Sequence, residues 1–190
     1  MTKPLGKLLL TGWLTAMLCS AFPALAEQEI DRELVALLKA TIAQADSFED
    51  RFDAEVWLMA KSSQLEKYIP DSQTRLELLR KIHRAATRAG LSPEVVLAVI
   101  QIESRFDPYA VSSAGAQGLM QVMPFWKREI GREEDNLTKI DTNLRYGCTI
   151  LKYYLDMEDG NLTRALARYN GSYGKTWYPE LVLVAWDYWR

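Results

Sequence analysis

The sequence predicts an all-α domain, and three observations carry that reading. Apolar residues recur at helical spacing through most of the chain, while the strict alternation of a half-buried strand is nearly absent. Helix punctuation stands where those periodic stretches begin and end, as with Ser92-Pro93 at one start and Gly90 and Gly160 at two ends.

The first 26 residues read as a secretory signal rather than as part of the fold. Lys3 and Lys7 form a basic start, Leu8 to Leu18 a mostly apolar stretch, and Ala24-Leu25-Ala26 a small-x-small cleavage site. The apolar stretch is too short to span a bilayer. An uncleaved anchor, or lipidation at Cys19, is the alternative. Leu18 is bulky where a lipid signal takes a small residue, so cleavage after Ala26 is preferred, and a periplasmic or secreted protein with no membrane contact in its mature form is expected. The 164 residues that remain are the size of one domain. They carry 21 basic against 25 acidic side chains, a formal charge of −4 that gives no footprint for nucleic acid.

Along the mature chain, Glu29 to Ala45 places Leu34, Leu37, Leu38 and Ile42 at helical spacing. Phe52 to Tyr68 reads as a second helix with Val56, Met59 and Ala60 on its apolar side, ended by Pro70. A third runs from Asp71 or Ser72 to Gly90 on an apolar row of Leu76, Leu79, Ile82 and Ala86. Residues 27–90 thus form an N-terminal helical segment expected to pack on a core of residues 91–190. Leu91 to Ile102 is apolar almost throughout and reads as a buried helix. Asp107 to Gly118 is turn chemistry, and Leu119 to Arg128 is either a short helix or an irregular hairpin interrupted by Pro124. Asp141 is placed as the cap of a helix reaching Asp159-Gly160, with Gly147 marking a close contact. A short helix, Leu162 to Tyr169, follows Asn161, and after Gly174 the chain is aromatic. Cys148 is the one thiol left after processing, so no internal disulfide is available, and its row of Leu144, Leu151 and Leu155 makes it a core residue. With His83 the single histidine and no cysteine cluster, neither a metal nor a cofactor is expected.

Glu103 stands at the end of the apolar helix, on the side of Val96, Val99 and Ile100. Two readings follow. The carboxylate is paired with Arg105 or exposed to water, or it is carried to the core side, where desolvation raises its pKa towards what a general acid needs.

The surrounding motifs decide the direction of that reading. Glu103-Ser104, Pro108-x-Ala110-x-Ser112, Gly115-Ala116-x-Gly118-Leu119-Met120-Gln121-x-Met123-Pro124, Asn143-Leu144-x-x-Gly147 and Ala165-Leu166-Ala167-x-Tyr169-Asn170 follow one another in the order found in a known family. Over roughly residues 88–174 the chain resembles the soluble lytic transglycosylases of the lysozyme-like superfamily. The resemblance implies a goose-type lysozyme-like helical fold acting on peptidoglycan glycan strands, cleaved between N-acetylmuramic acid and N-acetylglucosamine. It implies Glu103 as a single catalytic carboxyl, first protonating the leaving oxygen and then deprotonating the muramoyl 6-hydroxyl to close a 1,6-anhydro ring. It also implies that Ser112 and Tyr169 orient the substrate N-acetyl group and the acid, that Gln121 lines the groove, that Met120 and Met123 lie beside the sugar, and that Asn170 fixes the turn presenting Tyr169. Gly115 and Gly118 are expected to let backbone approach the acid or the glycan. The chain departs from the common pattern at Arg168, where many relatives have alanine, and at Gly171-Ser172. Tyr173, Trp177 and Tyr178 have flat faces suited to stacking on sugar rings.

Two rivals remain open at this point. One is a hydrolytic muramidase with Asp107 as second carboxylate. The other is a catalytically silent wall-binding protein that keeps the fold.

Overall fold

The computed structural model describes Ala36, Leu37, Thr41, Ser47 and residues 50–190. The signal segment and most of the predicted Glu29–Ala45 helix lie outside the described residues. All described residues belong to one compact unit, Asp31–Arg190. From residue 50 onward, the described residues form seven helices: α1 (Arg51–Leu65), α2 (Ser72–Ala89), α3 (Pro93–Glu103), α4 (Trp126–Ile130), α5 (Ile140–Met157), α6 (Leu162–Tyr169) and α7 (Trp177–Trp189). The expected all-α class is what the described residues form. None of these helices is long and apolar enough to cross a membrane.

The centre of the unit is α3. Ser92 caps it by accepting from the Val95 amide, Pro93 opens it where a missing N–H costs nothing, and Val96 to Ile100 are fully buried. A helix apolar all round needs cover on every side. α7 supplies most of it, through Tyr178, Val182, Ala185 and Trp189, and α2 supplies another side through Leu76, Leu79, Ile82 and Ala86. α5 runs against α2 and α6, and α6 also meets α7. The Trp189 indole donates to Gln101 Oε1 at 2.8 Å, tying the end of α7 to the last turn of α3.

Helix ends follow their local chemistry. Asp71 Oδ2 accepts from the Thr74 amide at 2.7 Å to start α2, and Gly90 ends it at φ 68°, a left-handed conformation that glycine adopts without penalty. The buried Arg75 spends its guanidinium on the Ile69 and Pro70 carbonyls and on Ser62 Oγ, holding the α1–α2 turn closed.

Two expectations are corrected. The buried side of α1 is Ala54, Leu58, Lys61, Ser62 and Leu65, whereas Val56 and Met59 are 54% and 52% exposed. The lysine lies inward because its ammonium donates to the Trp189 carbonyl at the end of α7, a tertiary partner that hydropathy does not reveal. Asp141 does not cap α5; it lies in the first turn and pairs with Lys81 and Arg84 of α2. The aromatic tail after Gly174 is a helix, with Pro179 tolerated because it falls in the first turn of α7.

Leu119 to Arg128 is part of each alternative, an irregular hairpin as far as Val122 and then the short helix α4 from Trp126. Val111 and Val122 each bridge antiparallel to Gln117, and Gly118 N–H donates to the Ala110 carbonyl at 2.8 Å.

Candidate active site

Glu103 closes α3, and the chain turns away directly after it. Arg105 and Phe106 both have positive φ, at 53° and 69°, costing about 1 to 3 kcal/mol each for non-glycine residues. Phe106 is held there by burial, its ring 5.0 Å from that of Tyr68 and 5.6 Å from that of Trp189. The strained turn separates the acid from its sequence neighbours. No cation among the described residues pairs with Glu103, so the reading of an acid neutralised by Arg105 is not what forms.

Its partner comes from the last helix. Tyr178 is buried and its hydroxyl donates to Glu103 Oε1 at 2.5 Å. Burial pushes the Glu103 carboxyl up to about 7, with the Tyr178 hydrogen bond pulling weakly the other way by favouring the ionised form. Tyr169 is the third member. Its hydroxyl donates to the Met120 carbonyl at 2.7 Å, and it lies close enough that the Glu103 charge, after burial, helps to push its own pKa well up. A half-buried carboxyl that titrates near neutrality, between two phenols that stay protonated, can give a proton and take one back within the same pH range.

The other expected residues are distributed more unevenly. Met120 has no exposed surface; its side chain fills the space over Gly147 and touches Cys148, so it is a core residue and not a neighbour of a bound sugar. Met123 is half-buried beside Pro124, and Asn170 caps α6 directly after Tyr169. Gln121, at φ 48°, donates from Nε2 to the Ala110 and Gly118 carbonyls at 3.1 and 3.0 Å, so this amide secures the hairpin. Ser112 Oγ accepts from the Ala116 amide at 3.0 Å, which leaves its own proton to donate. Gly118 does not bring backbone to the acid. A Cβ there would stand 2.4 Å from Asn143 Nδ2 and 2.5 Å from the Leu137 carbonyl, and Gly115 faces open space.

Two residues of the site were not read from the sequence in these roles. The sequence offers Tyr178 only as one of several aromatics suited to stacking on sugar, and nothing in its immediate sequence reports that a helix returns it to Glu103. Asn143 was noted only as part of a motif. Buried completely, it accepts from Met120 N–H and donates to the Gln117 and Leu137 carbonyls, each at 2.8 Å. An uncharged amide in a row of apolar helix positions was the available signal, because such a group must find partners.

Comparison with known proteins agrees with this arrangement of motifs. Residues 80–180 match the model of the Transglycosylase SLT domain. The chain belongs to the transglycosylase SLT domain family. Among similar proteins, a membrane-bound lytic murein transglycosylase F of Desulfosudis oleivorans is 38% identical over 106 residues, covering 53% of this chain and 23% of that protein. A membrane-bound lytic murein transglycosylase C of Actinobacillus pleuropneumoniae serotype 5b is 48% identical over 58 residues, covering 30% of this chain and 14% of the relative. The matched part of the SLT chain thus spans less than a quarter of the length of either relative. The solved 70 kDa soluble lytic transglycosylase of Escherichia coli superposes with a TM-score of 0.46 at 17% identity, over 82% of this chain and 31% of that one.

Proposed function

We propose that this chain is an exported lytic transglycosylase that cleaves the peptidoglycan glycan between N-acetylmuramic acid and N-acetylglucosamine, leaving 1,6-anhydro ends. The observation that carries the reading is Glu103 itself: a half-buried carboxyl that desolvation pushes up to about 7, aimed by one tyrosine. Glycosidases that hydrolyse with two protein carboxylates place the second at a fixed distance across the bond. Here Asp107, the candidate second acid, is exposed and turned to its own loop, accepting from the Tyr109 amide at 2.8 Å. A single carboxyl suffices where the substrate acetamido group assists at the anomeric carbon and the muramoyl 6-hydroxyl replaces water. Glu103 protonates the glycosidic oxygen as the bond breaks, then removes the 6-hydroxyl proton as the ring closes, ending in its starting state. Ser112 keeps a free hydroxyl proton for the acetamido oxygen, and Tyr169 lies beside the acid. The cleaved leader after Ala26 directs the enzyme to the periplasm or outside, with residues 27–90 as helical support and 91–190 as the catalytic core.

Digestion of purified sacculi tests the reading through product mass. Muropeptides one water lighter than reducing ends are expected, and a digest containing reducing ends alone would favour the muramidase. Glu103→Gln should lower the rate by about 10² to 10⁴, since general acid catalysis contributes in that range. Wall lysis undiminished in that variant would remove Glu103 from the chemistry.

A further inference from the structure

A cavity of about 380 Å³ lies between α2 and α5. That volume falls within the roughly 300 to 1,000 Å³ usual for small-molecule sites, and no residue of the candidate active site lines it. The two helices run in the same direction. Lys81 pairs with Asp141 at one end; at the other, just past α2, a Cβ on Gly90 would stand 3.5 Å from Lys152 Cε. The floor is apolar, made by Ala85 and Ala89 of α2 and by Leu144 and Cys148 of α5. Alanine at both α2 positions leaves the space that larger side chains would fill.

The walls are cationic. Lys81, Arg84 and Arg88 stand at i, i+3 and i+7 on α2 and so share one face, and Arg145 comes from α5. One carboxylate, Asp141, stands among the lining residues, taking Lys81 on Oδ2 and Arg84 on Oδ1, the latter at 3.8 Å. Arg145 reaches Asp135, outside the cavity, at 3.1 Å. The Lys81 and Arg84 side chains are 25% and 27% exposed, so both charges are partly withdrawn from water. Gathering cations in this way is costly without counter-charge, and one shared carboxylate inside the cavity answers only part of the need. Composition does not account for the cluster either, because the chain as a whole is acidic.

We infer that the α2–α5 cavity binds a phosphoryl group, borne either by a small soluble molecule or by a lipid headgroup. The site goes beyond the glycan-cleaving reading and does not depend on it. A phosphoryl group brings about two negative charges and three acceptor oxygens, which matches donors converging from two helices. A lone carboxylate asks for less: Asp141 is served by Lys81 and Arg84 alone. The planar forks of Arg84 and Arg145 suit phosphate oxygens two at a time, and the low-dielectric floor beneath them strengthens the attraction. That same floor of Ala85, Ala89, Leu144 and Cys148 receives the apolar part of the molecule to which the phosphate is attached.

The full processed chain is titrated calorimetrically with sodium pyrophosphate and cosedimented with phosphatidylglycerol or phosphatidylcholine vesicles. Pyrophosphate should bind saturably with a Kd below about 1 mM. Arg84→Gln combined with Arg145→Gln should weaken that binding about tenfold or more. Lys127→Gln combined with Arg128→Gln on α4 removes the same charge elsewhere and should change it less than about twofold. In the unaltered chain, pyrophosphate should also shift the Arg84 and Arg145 Nε–H resonances, a readout that stands even where the double variant fails to fold. Binding to phosphatidylglycerol vesicles alone, displaced by pyrophosphate, assigns the site to a lipid headgroup; pyrophosphate binding with neither vesicle bound assigns it to a soluble phosphate. The inference is overturned by absence of saturable pyrophosphate binding, by equal weakening in both variant pairs, or by unmoved arginine resonances. No turnover enters these measurements, so a failure to find anhydro ends in sacculi counts against the activity and leaves this result standing.

Discussion

At the scale of single residues, Glu103 has burial raising its pKa and one tyrosine hydroxyl lowering it, and both effects can be measured separately. The folded protein holds the proton up to about pH 7, whereas a solvated glutamate releases it near 4.5. Between those values the folded state binds more protons than the unfolded one, so stability falls as pH rises through the window. At 1.36 kcal/mol per unit, the loss amounts to about 3 kcal/mol by pH 8. Glu103→Gln removes the titration. The variant should gain about 3 kcal/mol on the parent between pH 4 and pH 8 in denaturant unfolding, and parallel stability curves would show that the carboxyl is not buried in solution. Catalysis follows the same proton: kcat/KM should fall as pH rises past about 7, where the acid form is lost. Tyr178→Phe deletes a donor that favours the carboxylate, so the falling limb should move to higher pH. The rate should also drop about 10- to 100-fold, since the carboxyl is no longer aimed. A pH–rate profile separates these outcomes, as a purely structural effect lowers the whole curve without moving its limb.

At the scale of elements, the hairpin and α5 are joined by one amide. Asn143 accepts from the Met120 amide and donates to the Gln117 and Leu137 carbonyls, and Gly118 and Gly147 leave room for that approach and for Met120. Asn143→Ala strands an amide and two carbonyls away from water and should destabilise the protein by about 3 kcal/mol, read from the denaturant midpoint at constant m-value. A change below about 1 kcal/mol would mean that water replaces the amide. This scale is also where the sequence was most and least informative. The ends of α2 and the start of α3 were legible because their caps are local: Asp71, Gly90, Ser92 and Pro93 act on amides within a turn of themselves. The inward face of α1 was not, since Lys61 is buried for a carbonyl 128 residues away. Glu103 was legible as the candidate acid only through the ordered motifs around it, since its place on an apolar helix alone left two readings open. Its partner was not, because the link to Tyr178 spans 75 residues and depends on α7, a helix that its aromatic composition does not announce.

At the scale of the molecule, the last helix is both the principal cover of the core and the source of the residue that orients the acid. α3 is apolar on every side, and the inner face of α7 brings Tyr178, Val182, Ala185 and Trp189 against it. Fold and site are therefore completed together by the final residues of the chain. Ending the protein after Gly174 would uncover the fully buried Val96–Ile100 segment and leave the Lys61 ammonium and Gln101 without their α7 partners. Each fully exposed Val, Leu or Ile side chain costs about 1.5 to 3 kcal/mol, and a domain of this size holds about 5 to 15 kcal/mol in all. The truncated chain should therefore lose its cooperative thermal transition and its near-ultraviolet circular dichroism, and bind hydrophobic dyes, while keeping much of its helical signal. Retention of a sharp transition would show instead that α1–α6 form a stable unit by themselves, and the helix bearing Tyr178 would then be a separable arm laid over a finished core.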